Sequence, residues 1–269
     1  MNFNYKNANI SYSIYGKGTA VVLLHGFLEN SSMWKIIASQ LSKKYRVICI
    51  DLLGHGKSEN MGYIHTMEEQ ACMVKAVLNH LRLRKYVIIG HSMGGYIALA
   101  FAKLFSKNVK GIGLMNSTAL PDTKEKKINR NRGISAVKQN YKTFVKLAIP
   151  QLFAENNRTR FVKDIKAITN EALKISPQGI IAALEGMKIR EDLSYIYNEA
   201  NYPIQMVIGK QDPALDYNSL IAQTKNTNVK VVEFPDGHMS HVENKEDLLR
   251  ALNSFIKTCF YYYLVLIVL

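Results

Sequence analysis

The sequence predicts a doubly wound α/β domain, in which a mostly parallel sheet carries helices on both faces and a helical insert interrupts the chain near its middle. Three observations predict it. Short apolar runs alternate with segments of helical periodicity, an order that favours a parallel sheet. Several runs end in polar or glycine-containing turns, where ligand sites of such sheets lie. The strand pattern disappears over residues 120–202 and then returns.

The first 119 residues contain most of this alternation. Segments rich in apolar and β-branched residues are predicted to be strands, namely residues 10–15, 20–24, 45–50, 85–89 and 109–115. Helices are predicted at residues 34–41 and 67–81 and in the apolar segment after Gly95. His25, Asp51 and Ser92 each follow one of these strands, so we expect them at one edge of the sheet.

Residues 120–202 are expected to form a helical cap over the sheet. Amphipathic patterns occur at residues 138–149, 158–173 and 177–188, and prolines separate them. Lysine and arginine are frequent here, which accounts for part of the net positive charge. The predicted organisation is a core of residues 1–119 and 203–258, a cap of residues 120–202 and an apolar tail of residues 259–269.

The strand pattern returns at residues 203–209 and 229–234, and residues 246–257 are expected to form the closing helix. Residues 260–269 carry no charge and are mainly aromatic and aliphatic. An α-helix needs about 20 apolar residues to cross a bilayer, so we expect no membrane partner, although this tail leaves weak association open. A sticky tail, an interfacial anchor and an abnormal chain end are the alternatives, and an exposed run of this kind favours aggregation.

Composition and charge restrict the class of protein. With 269 residues and 48% hydrophobic content, the chain can bury a core as one domain with an insert. The net charge of +14 suggests nucleic acid or an anionic membrane as a partner. The lysines are scattered, however, and no nucleic-acid-binding motif occurs. We therefore expect a small-molecule substrate and no nucleic-acid partner, while the oligomeric state cannot be read from the sequence.

Cysteine usage points to a reducing compartment, because Cys49, Cys72 and Cys259 show neither paired nor metal-binding spacing. No apolar segment follows the first residues, so no secretory signal is expected and the predicted location is the cytoplasm. The acidic residues and histidines fall into no ligand spacing, and no phosphate-binding loop occurs. Neither a metal nor a cofactor is therefore expected.

The segment Gly90-His91-Ser92-Met93-Gly94 lies between an apolar strand and an apolar helix. Ser92 thus occupies a strand-to-helix turn with a glycine two residues to each side, the G-x-S-x-G pattern. Glycines permit the sharp, strained elbow that exposes a serine Oγ at the edge of a sheet. The N-terminus of the following helix favours negative charge that develops there. These features predict that Ser92 is a nucleophile.

A serine hydroxyl needs a neighbouring base, and that base needs an acid that holds its tautomer. Asp212 and His238 both follow strand-like runs, downstream of Ser92. The chain order of serine, acid and histidine fits an elbow of this kind, so these three residues are the predicted catalytic triad. Asp216 is the alternative acid, and His241 is the alternative base.

The remaining histidines are interpreted from their positions. His91 adjoins the serine but is expected to point to the other side of the elbow and to pack there. His25 is expected to shape the loop beside the oxyanion site. His55, His65 and His80 are expected in loops or on a helix surface.

An acyl-transfer site also needs donors for the negatively charged oxygen of the tetrahedral intermediate. The backbone N–H of Met93, the residue after the nucleophile, is the first predicted donor. The second is expected from the loop after the strand at residues 20–24, where the Phe27 N–H is the best candidate. This loop reads His25-Gly26-Phe27 and lacks the three-glycine form of many lipases.

These motifs resemble the α/β-hydrolase superfamily over essentially the whole chain, and in particular its small capped serine hydrolases: carboxylesterases, lactonases, cofactor-free haloperoxidases and C–C bond hydrolases. The matching positions are residues 25–27 with Trp34, residues 51–58, residues 90–95, Gly209 with Asp212, and Gly237-His238 with Glu243. The resemblance implies the α/β-hydrolase fold with its cap inserted after the sixth strand. It favours His238 over His241, and Ser92 excludes the relatives whose nucleophile is aspartate.

The leading functional expectation is hydrolysis of a small ester or related acyl compound through an acyl-enzyme. Thioester hydrolysis, C–C bond hydrolysis and perhydrolysis use the same triad and stay open, since residues of the cap decide the substrate. A slow-turnover ligand receptor on a hydrolase fold is the alternative outside enzymes.

Overall fold

The computed structural model describes the backbone of residues 1–268 and the side chains of residues 1–261. Within these residues eight strands form one sheet, in the order β1-β2-β4-β3-β5-β6-β7-β8. The strands are β1 (Asn2–Tyr5), β2 (Ala8–Tyr15), β3 (Ala20–Leu24), β4 (Arg46–Ile50), β5 (Tyr86–His91), β6 (Val109–Met115), β7 (Ile204–Gly209) and β8 (Lys230–Phe234). β1 and β2 pair antiparallel, and the strands from β3 to β8 are mutually parallel. The predicted mostly parallel sheet is confirmed.

Helices connect and cover these strands. They are α1 (Lys35–Leu41), α2 (Met67–His80), α3 (Met93–Phe105), α4 (Lys124–Ala148), α5 (Val162–Ala172), α6 (Pro177–Lys188), α7 (Ile196–Glu199), α8 (Tyr217–Thr224), α9 (Ser240–Glu243) and α10 (Lys245–Val268). Asn140 interrupts α4 with non-helical φ and ψ of −158° and 88°, so this helix is kinked.

Alternate residues of β3 face opposite helical layers. Val22 and Leu24 belong to a core cluster with residues of α2 and α3, whereas Val21 and Leu23 belong to a second cluster with residues of α1 and α10. All five residues of β3 are buried. Because helices cover both faces, the strand is apolar at every position, which explains the continuous apolar run in the sequence.

The register of the parallel strands brings their carboxyl ends together. Leu24 of β3 pairs with Ile50 of β4 and with Gly90 of β5, and His91 of β5 pairs with Met115 of β6. The residues that follow these strands therefore share one edge of the sheet, as the sequence predicted.

Some elements follow the predicted bounds and others were missed. The strands at residues 20–24 and 109–115 have the predicted bounds. The sequence patterns do not predict β1, α8 or the first half of α4. β1 has four residues and α8 has eight, lengths at which periodicity is weak. The first half of α4 is largely charged and exposed, so it lacks an apolar stripe.

Between β6 and β7 the described chain forms the helices α4 to α7 and no strand. We call residues 120–202 the helical insert. Buried Asp122 accepts hydrogen bonds from Arg130 Nε at 2.9 Å and from Arg190 Nη1 at 2.6 Å. This carboxylate therefore ties the start of α4 to the end of α6.

The C-terminal helix α10 runs from Lys245 to Val268 and includes the predicted closing helix at residues 246–257. Most of the predicted apolar tail, residues 262–269, lies outside the described side chains. In the described part of the chain, no helix combines the length and the apolar character needed to span a membrane.

Candidate active site

Ser92 lies between β5 and α3 in a strained turn. Its φ of 49° and ψ of −115° put a non-glycine residue in a conformation that costs energy. A Cβ on Gly90 would lie 2.1 Å from the carbonyl oxygen of Gly94, and a Cβ on Gly94 would lie 2.4 Å from that of Leu24. Neither position therefore tolerates a side chain. The Ser92 N–H donates to the Met115 carbonyl at 2.8 Å, and the turn has the geometry that the G-x-S-x-G pattern predicts.

His238 and Asp212 form a hydrogen-bonded pair. Nδ1 of His238 lies 2.7 Å from Oδ2 of Asp212, and both side chains are buried. The other carboxylate oxygen accepts the N–H groups of Ala214 and Leu215 at 2.8 and 3.1 Å. Burial alone would raise the pKa of Asp212, but His238 and the Ala214 N–H hold it below its ordinary value. An ionised carboxylate at Nδ1 keeps the proton on that nitrogen and leaves Nε2 as the basic one.

Asn116 is a part of the site that the sequence patterns do not indicate. It follows β6 with a φ of 44°. Its Nδ2 donates to Oδ2 of Asp212 at 3.1 Å and to the Gly237 carbonyl at 3.2 Å, and its Oδ1 accepts from Ser240 Oγ at 2.6 Å. Asn116 thus connects the acid to the loop that carries His238. Its place directly after a strand is the signal that the sequence offers.

Ser92 and His238 line one cavity of about 510 Å³ between the sheet edge and the helical insert. No hydrogen bond joins Ser92 Oγ to His238 in the described part of the chain. Contacts between a nucleophile and its base are often long without substrate and tighten in the complex. The structure therefore brings Ser92, His238 and Asp212 to one place, without a hydrogen bond between the serine and the histidine in the described residues.

The two predicted oxyanion donors lie on segments that touch each other. Phe27 lies in the loop after β3 and lines the cavity, and Met93 is the first residue of α3. A Cβ on Gly26 would lie 3.2 Å from the Cβ of Ser92, so this loop packs directly on the elbow. Neither the Phe27 N–H nor the Met93 N–H donates to an acceptor among the described residues. Both groups are therefore free to bind a ligand oxygen.

Neither alternative residue of the triad takes the place of the first choice. The carboxylate of Asp216 accepts the Ser219 N–H at 2.7 Å and caps α8. Nε2 of His241 lies 3.7 Å from Oε1 of Glu29, and no hydrogen bond joins His241 to Asp212 in the described residues.

His91 adjoins Ser92, as the sequence shows, and belongs to a buried hydrogen-bond network. Nδ1 of His91 lies 2.7 Å from Oε2 of Glu29, and Nε2 lies 2.9 Å from the carbonyl oxygen of His238. Glu29 is a second residue that the sequence patterns do not indicate. Its contacts join the loop after β3 to the end of β5, which lie far apart in sequence.

Three further histidines lie near this edge. His25 donates from Nδ1 to the Gly26 carbonyl at 2.8 Å and accepts the Leu52 N–H at Nε2, 2.9 Å away, so it joins the loops after β3 and β4. His55 and His65 lie in loops, as expected, but their side chains are buried and not at the surface. Burial lowers the pKa of His55 to about 3 and that of His65 to about 4, so both are neutral.

Glu29, His91 and His241 form the group of described residues that is compact enough to hold a metal ion, with ligand atoms within 4.8 Å of one another. Both ring nitrogens of His91 already face oxygen acceptors of the protein. The ring is therefore engaged in protein contacts, and the donor set does not favour a metal.

Comparisons with known proteins support the fold over most of the chain. A family model described as the alpha/beta hydrolase fold matches residues 19–245. A thermophilic esterase from Thermogutta terrifontis, solved with malate bound, is 28% identical, covers 96% of this chain and 98% of its own, and superposes with a TM-score of 0.88. The enol-lactonase from Burkholderia xenovorans LB400 also gives 0.88 over 96% of this chain and 100% of its own, at 20% identity, a likeness in fold alone.

A curated relative matches over a shorter segment. An uncharacterized protein of Mycobacterium tuberculosis is 33% identical over 107 residues, which are 40% of this chain and 31% of that protein. The match thus spans about a third of that relative's length.

Proposed function

Since the chain belongs to the α/β-hydrolase family, we propose that it is a serine hydrolase that cleaves a small ester or a related acyl compound. One observation carries the proposal: Ser92 in its strained elbow lines the same cavity as His238, whose Nδ1 is hydrogen-bonded to Asp212. The likeness to the esterase of Thermogutta terrifontis supports an ester as the substrate.

The first half of the reaction forms the acyl-enzyme. Ser92 Oγ attacks the carbonyl carbon, and Nε2 of His238 takes the hydroxyl proton. Asp212 orients the ring through Nδ1–H and stabilises the imidazolium. The N–H groups of Phe27 and Met93 donate to the oxyanion, and the N-terminus of α3 adds a favourable field. When the tetrahedral intermediate collapses, the imidazolium gives its proton to the leaving alkoxide.

The second half releases the acid. A water molecule attacks the acyl carbonyl while His238 takes one of its protons. The same donors hold the second oxyanion. The bond between Ser92 Oγ and the acyl carbon then breaks, and the proton returns from His238 to the serine. The net reaction consumes one water and yields an alcohol and a carboxylic acid.

The helical insert acts as a cap in this proposal and sets the substrate. Lys126 and Arg130 of α4 line the cavity, and Glu125 offsets one of their charges. Arg130 and Arg190 share the single carboxylate of Asp122, which leaves positive charge near the cavity. The apolar lining of the insert comes from Phe144, Ala148, Leu152, Leu184 and Met187. This combination favours an acyl compound with an apolar part and an anionic group.

The proposal is tested with a panel of p-nitrophenyl esters of increasing acyl length, some of them with a terminal carboxylate. We expect turnover by the wild-type protein and loss of at least about a thousandfold in kcat for Ser92→Ala. Ser254→Ala is the matched control, because Ser254 is exposed on α10 away from the cavity. Undiminished turnover by Ser92→Ala would contradict the assignment of the nucleophile.

Thioesters and C–C bond substrates use the same residues, so the panel includes an acyl-coenzyme A and a dienoate. If kcat/KM is higher for either of these compounds than for the esters, that compound class is the substrate, and the roles of the residues are unchanged. An equivalent of product released in a burst, followed by negligible turnover, indicates a ligand receptor instead.

A further inference from the structure

Two buried charged side chains next to the proposed site take no part in the mechanism above. Glu29 and His91 expose only 3% and 2% of their side chains. Glu29 lies in the loop that carries Phe27, and His91 ends β5 beside Ser92. A buried ionised group is costly unless it is paired and hydrogen-bonded. The place of this pair, against the catalytic segments, indicates that its role concerns the reaction.

The pair makes hydrogen bonds to the backbone of two catalytic loops. Oε2 of Glu29 accepts the Gly26 N–H at 2.6 Å and faces Nδ1 of His91 at 2.7 Å. Nε2 of His91 lies 2.9 Å from the carbonyl oxygen of His238. A Cβ on Gly26 would lie 2.5 Å from Oε2 of Glu29 and 2.9 Å from Nδ1 of His91. The loop with the oxyanion donor therefore packs directly on the pair.

The hydrogen bonds define the protonation of His91. The carbonyl of His238 can only accept, so Nε2 of His91 carries a proton, and Nδ1 carries another when Glu29 is ionised. Burial alone would raise the pKa of Glu29, but the charge of His91 and its hydrogen bond hold it at about 2. Burial alone would lower the pKa of His91, yet Glu29 raises it above its ordinary value. His91 is thus an imidazolium paired with a carboxylate.

The titratable groups that surround His91 are compatible with its positive charge. The rings of His238 and His241 lie with their centroids 5.0 and 5.4 Å from that of His91. Burial lowers the pKa of His241 to about 4, so that ring is neutral. His25 donates at one nitrogen and accepts at the other, so it is also neutral. Asp212 adds a second negative charge that favours the imidazolium.

We propose that the Glu29–His91 ion pair positions the catalytic base by fastening the backbone of His238 to the nucleophile elbow and to the oxyanion loop. His91 is covalently next to Ser92, its Nε2–H holds the His238 carbonyl, and its carboxylate partner holds the Gly26 N–H. These contacts keep the base, the nucleophile and the oxyanion donors in fixed positions relative to one another. Glu29 and His91 are positioning residues, since they act through His238 and Gly26, and the inference rests on the proposed serine hydrolase function.

The carboxylate of Glu29 is also needed because His238 becomes positively charged during the reaction. In the resting site Glu29 and Asp212 are negative and His91 is positive. When His238 takes the serine proton, two imidazolium rings with centroids 5.0 Å apart face two carboxylates. The charges of these four side chains cancel, and the remaining negative charge lies on the oxyanion. Without Glu29 a doubly protonated His91 would share one carboxylate with the His238 imidazolium, and like charges at this separation oppose each other, so His91 would be neutral. Glu29 thus permits a protonated His91 to hold the loop that carries His238.

The protonation is tested on the wild-type protein by nuclear magnetic resonance with ¹⁵N-labelled histidine. The His91 signals are assigned by their loss in His91→Gln. We expect two ring N–H protons on His91 at about pH 7.5, where a histidine at its ordinary pKa is largely neutral. In Glu29→Gln we expect one ring proton, because the Gln amide can donate to a neutral Nδ1. A neutral His91 ring in the wild-type protein at this pH contradicts the proposal.

The positioning role is tested by kinetics on an ester that the wild-type protein hydrolyses. For Glu29→Gln we expect kcat to fall at least about tenfold with KM changed less than about threefold. The amide nitrogen that donates to His91 cannot accept the Gly26 N–H, and displacement of the oxyanion donors affects the chemical steps. The Nδ1–H proton of His238 should also exchange faster with solvent. Glu191→Gln is the matched control, because it removes an exposed carboxylate paired with Lys103 at the surface.

The outcomes separate this inference from the proposed function. A kcat of Glu29→Gln within twofold of the wild-type value overturns the positioning role even if Ser92→Ala is inactive. An active Ser92→Ala protein overturns the proposed function, and the inference then fails with it. If Glu29→Gln does not fold, His91→Asn, which retains a side-chain donor, replaces it with the same expected change in kcat.

Discussion

At the scale of single residues, the proposed site depends on how completely Asp212 is hydrogen-bonded. Oδ2 meets His238 and Asn116, and Oδ1 accepts two backbone N–H groups. A buried carboxylate with this many donors stays ionised. It therefore keeps the proton of His238 on Nδ1, which is the tautomer that the mechanism needs.

Asn116→Ala removes a donor from Asp212 and the contact with the Gly237 carbonyl. We expect kcat on an ester substrate to fall roughly tenfold, while KM changes little, because the acid and the base loop lose a shared anchor. Asn253→Ala on α10 is the matched control, since among the described residues the Asn253 side chain donates to the Leu249 carbonyl of its own helix. Equal kcat values for the two variants would show that Asn116 has no part in positioning the acid.

The buried pair of Glu29 and His91 predicts a pH dependence of stability. The pKa of Glu29 is about 2 in the folded protein against 4.5 ordinarily, so its contribution is present above its ordinary value and is lost as pH falls toward 2. The pKa of His91 is raised above 6.5, so its contribution is present below 6.5 and is lost as pH rises through the folded value. The pair therefore stabilises the protein most at mildly acidic pH.

Urea unfolding of wild-type protein and Glu29→Gln measures this dependence. We expect the difference in unfolding free energy to be larger at about pH 5.5 than at about pH 3 or pH 9. A difference that is the same at all three pH values would show that the pair is not ionised.

Some residues of the site can be predicted from the amino-acid pattern, and others cannot, for a physical reason. Ser92, Asp212 and His238 were predicted because a motif or a strand end marks each of them. Asn116 and Glu29 act through hydrogen bonds to segments that are distant in sequence, and such contacts exist only once the strand register is known. The sequence also cannot show that His55 and His65 are buried.

At the scale of elements, one buried carboxylate joins two helices of the helical insert, α4 and α6. The Asp122 side chain is fully buried and contacts Arg130 of α4 and Arg190 beyond α6. The amphipathic pattern at residues 177–188 predicts the observed bounds of α6, because the buried face of this helix is apolar. The first half of α4 has no such pattern. That half is held by charged contacts such as the one between Asp122 and Arg130, which leave no trace in the hydrophobic periodicity of the sequence.

Asp122→Ala leaves the two guanidinium groups without their shared partner. Removing one member of a buried ion pair typically destabilises a protein by about 3–5 kcal/mol, and we expect a loss in this range. Urea unfolding at neutral pH measures the loss, and Asp247→Ala on the exposed face of α10 is the control. A loss below about 1 kcal/mol, the usual size for an exposed pair, would show that the insert is held by other contacts.

At the scale of the whole molecule, the sheet register explains how residues from the whole length of the chain meet. The ends of β3, β5, β6, β7 and β8 contribute Phe27, Ser92, Asn116, Asp212 and His238, respectively. The alternation of strands and helices in the sequence was enough to predict this edge, because parallel strands place their carboxyl ends together. The contents of the cavity beneath the insert were not predictable, since they depend on how α4 and α6 pack.

A fluorophosphonate probe tests whether Ser92 is the nucleophile of a serine hydrolase. The probe forms a covalent bond with an activated serine, and digestion followed by mass spectrometry locates it. We expect one equivalent of label on Ser92, no label in Ser92→Ala, and slower labelling in Asn116→Ala and Glu29→Gln. No labelling of the wild-type protein, or labelling at another serine, would contradict this role of Ser92.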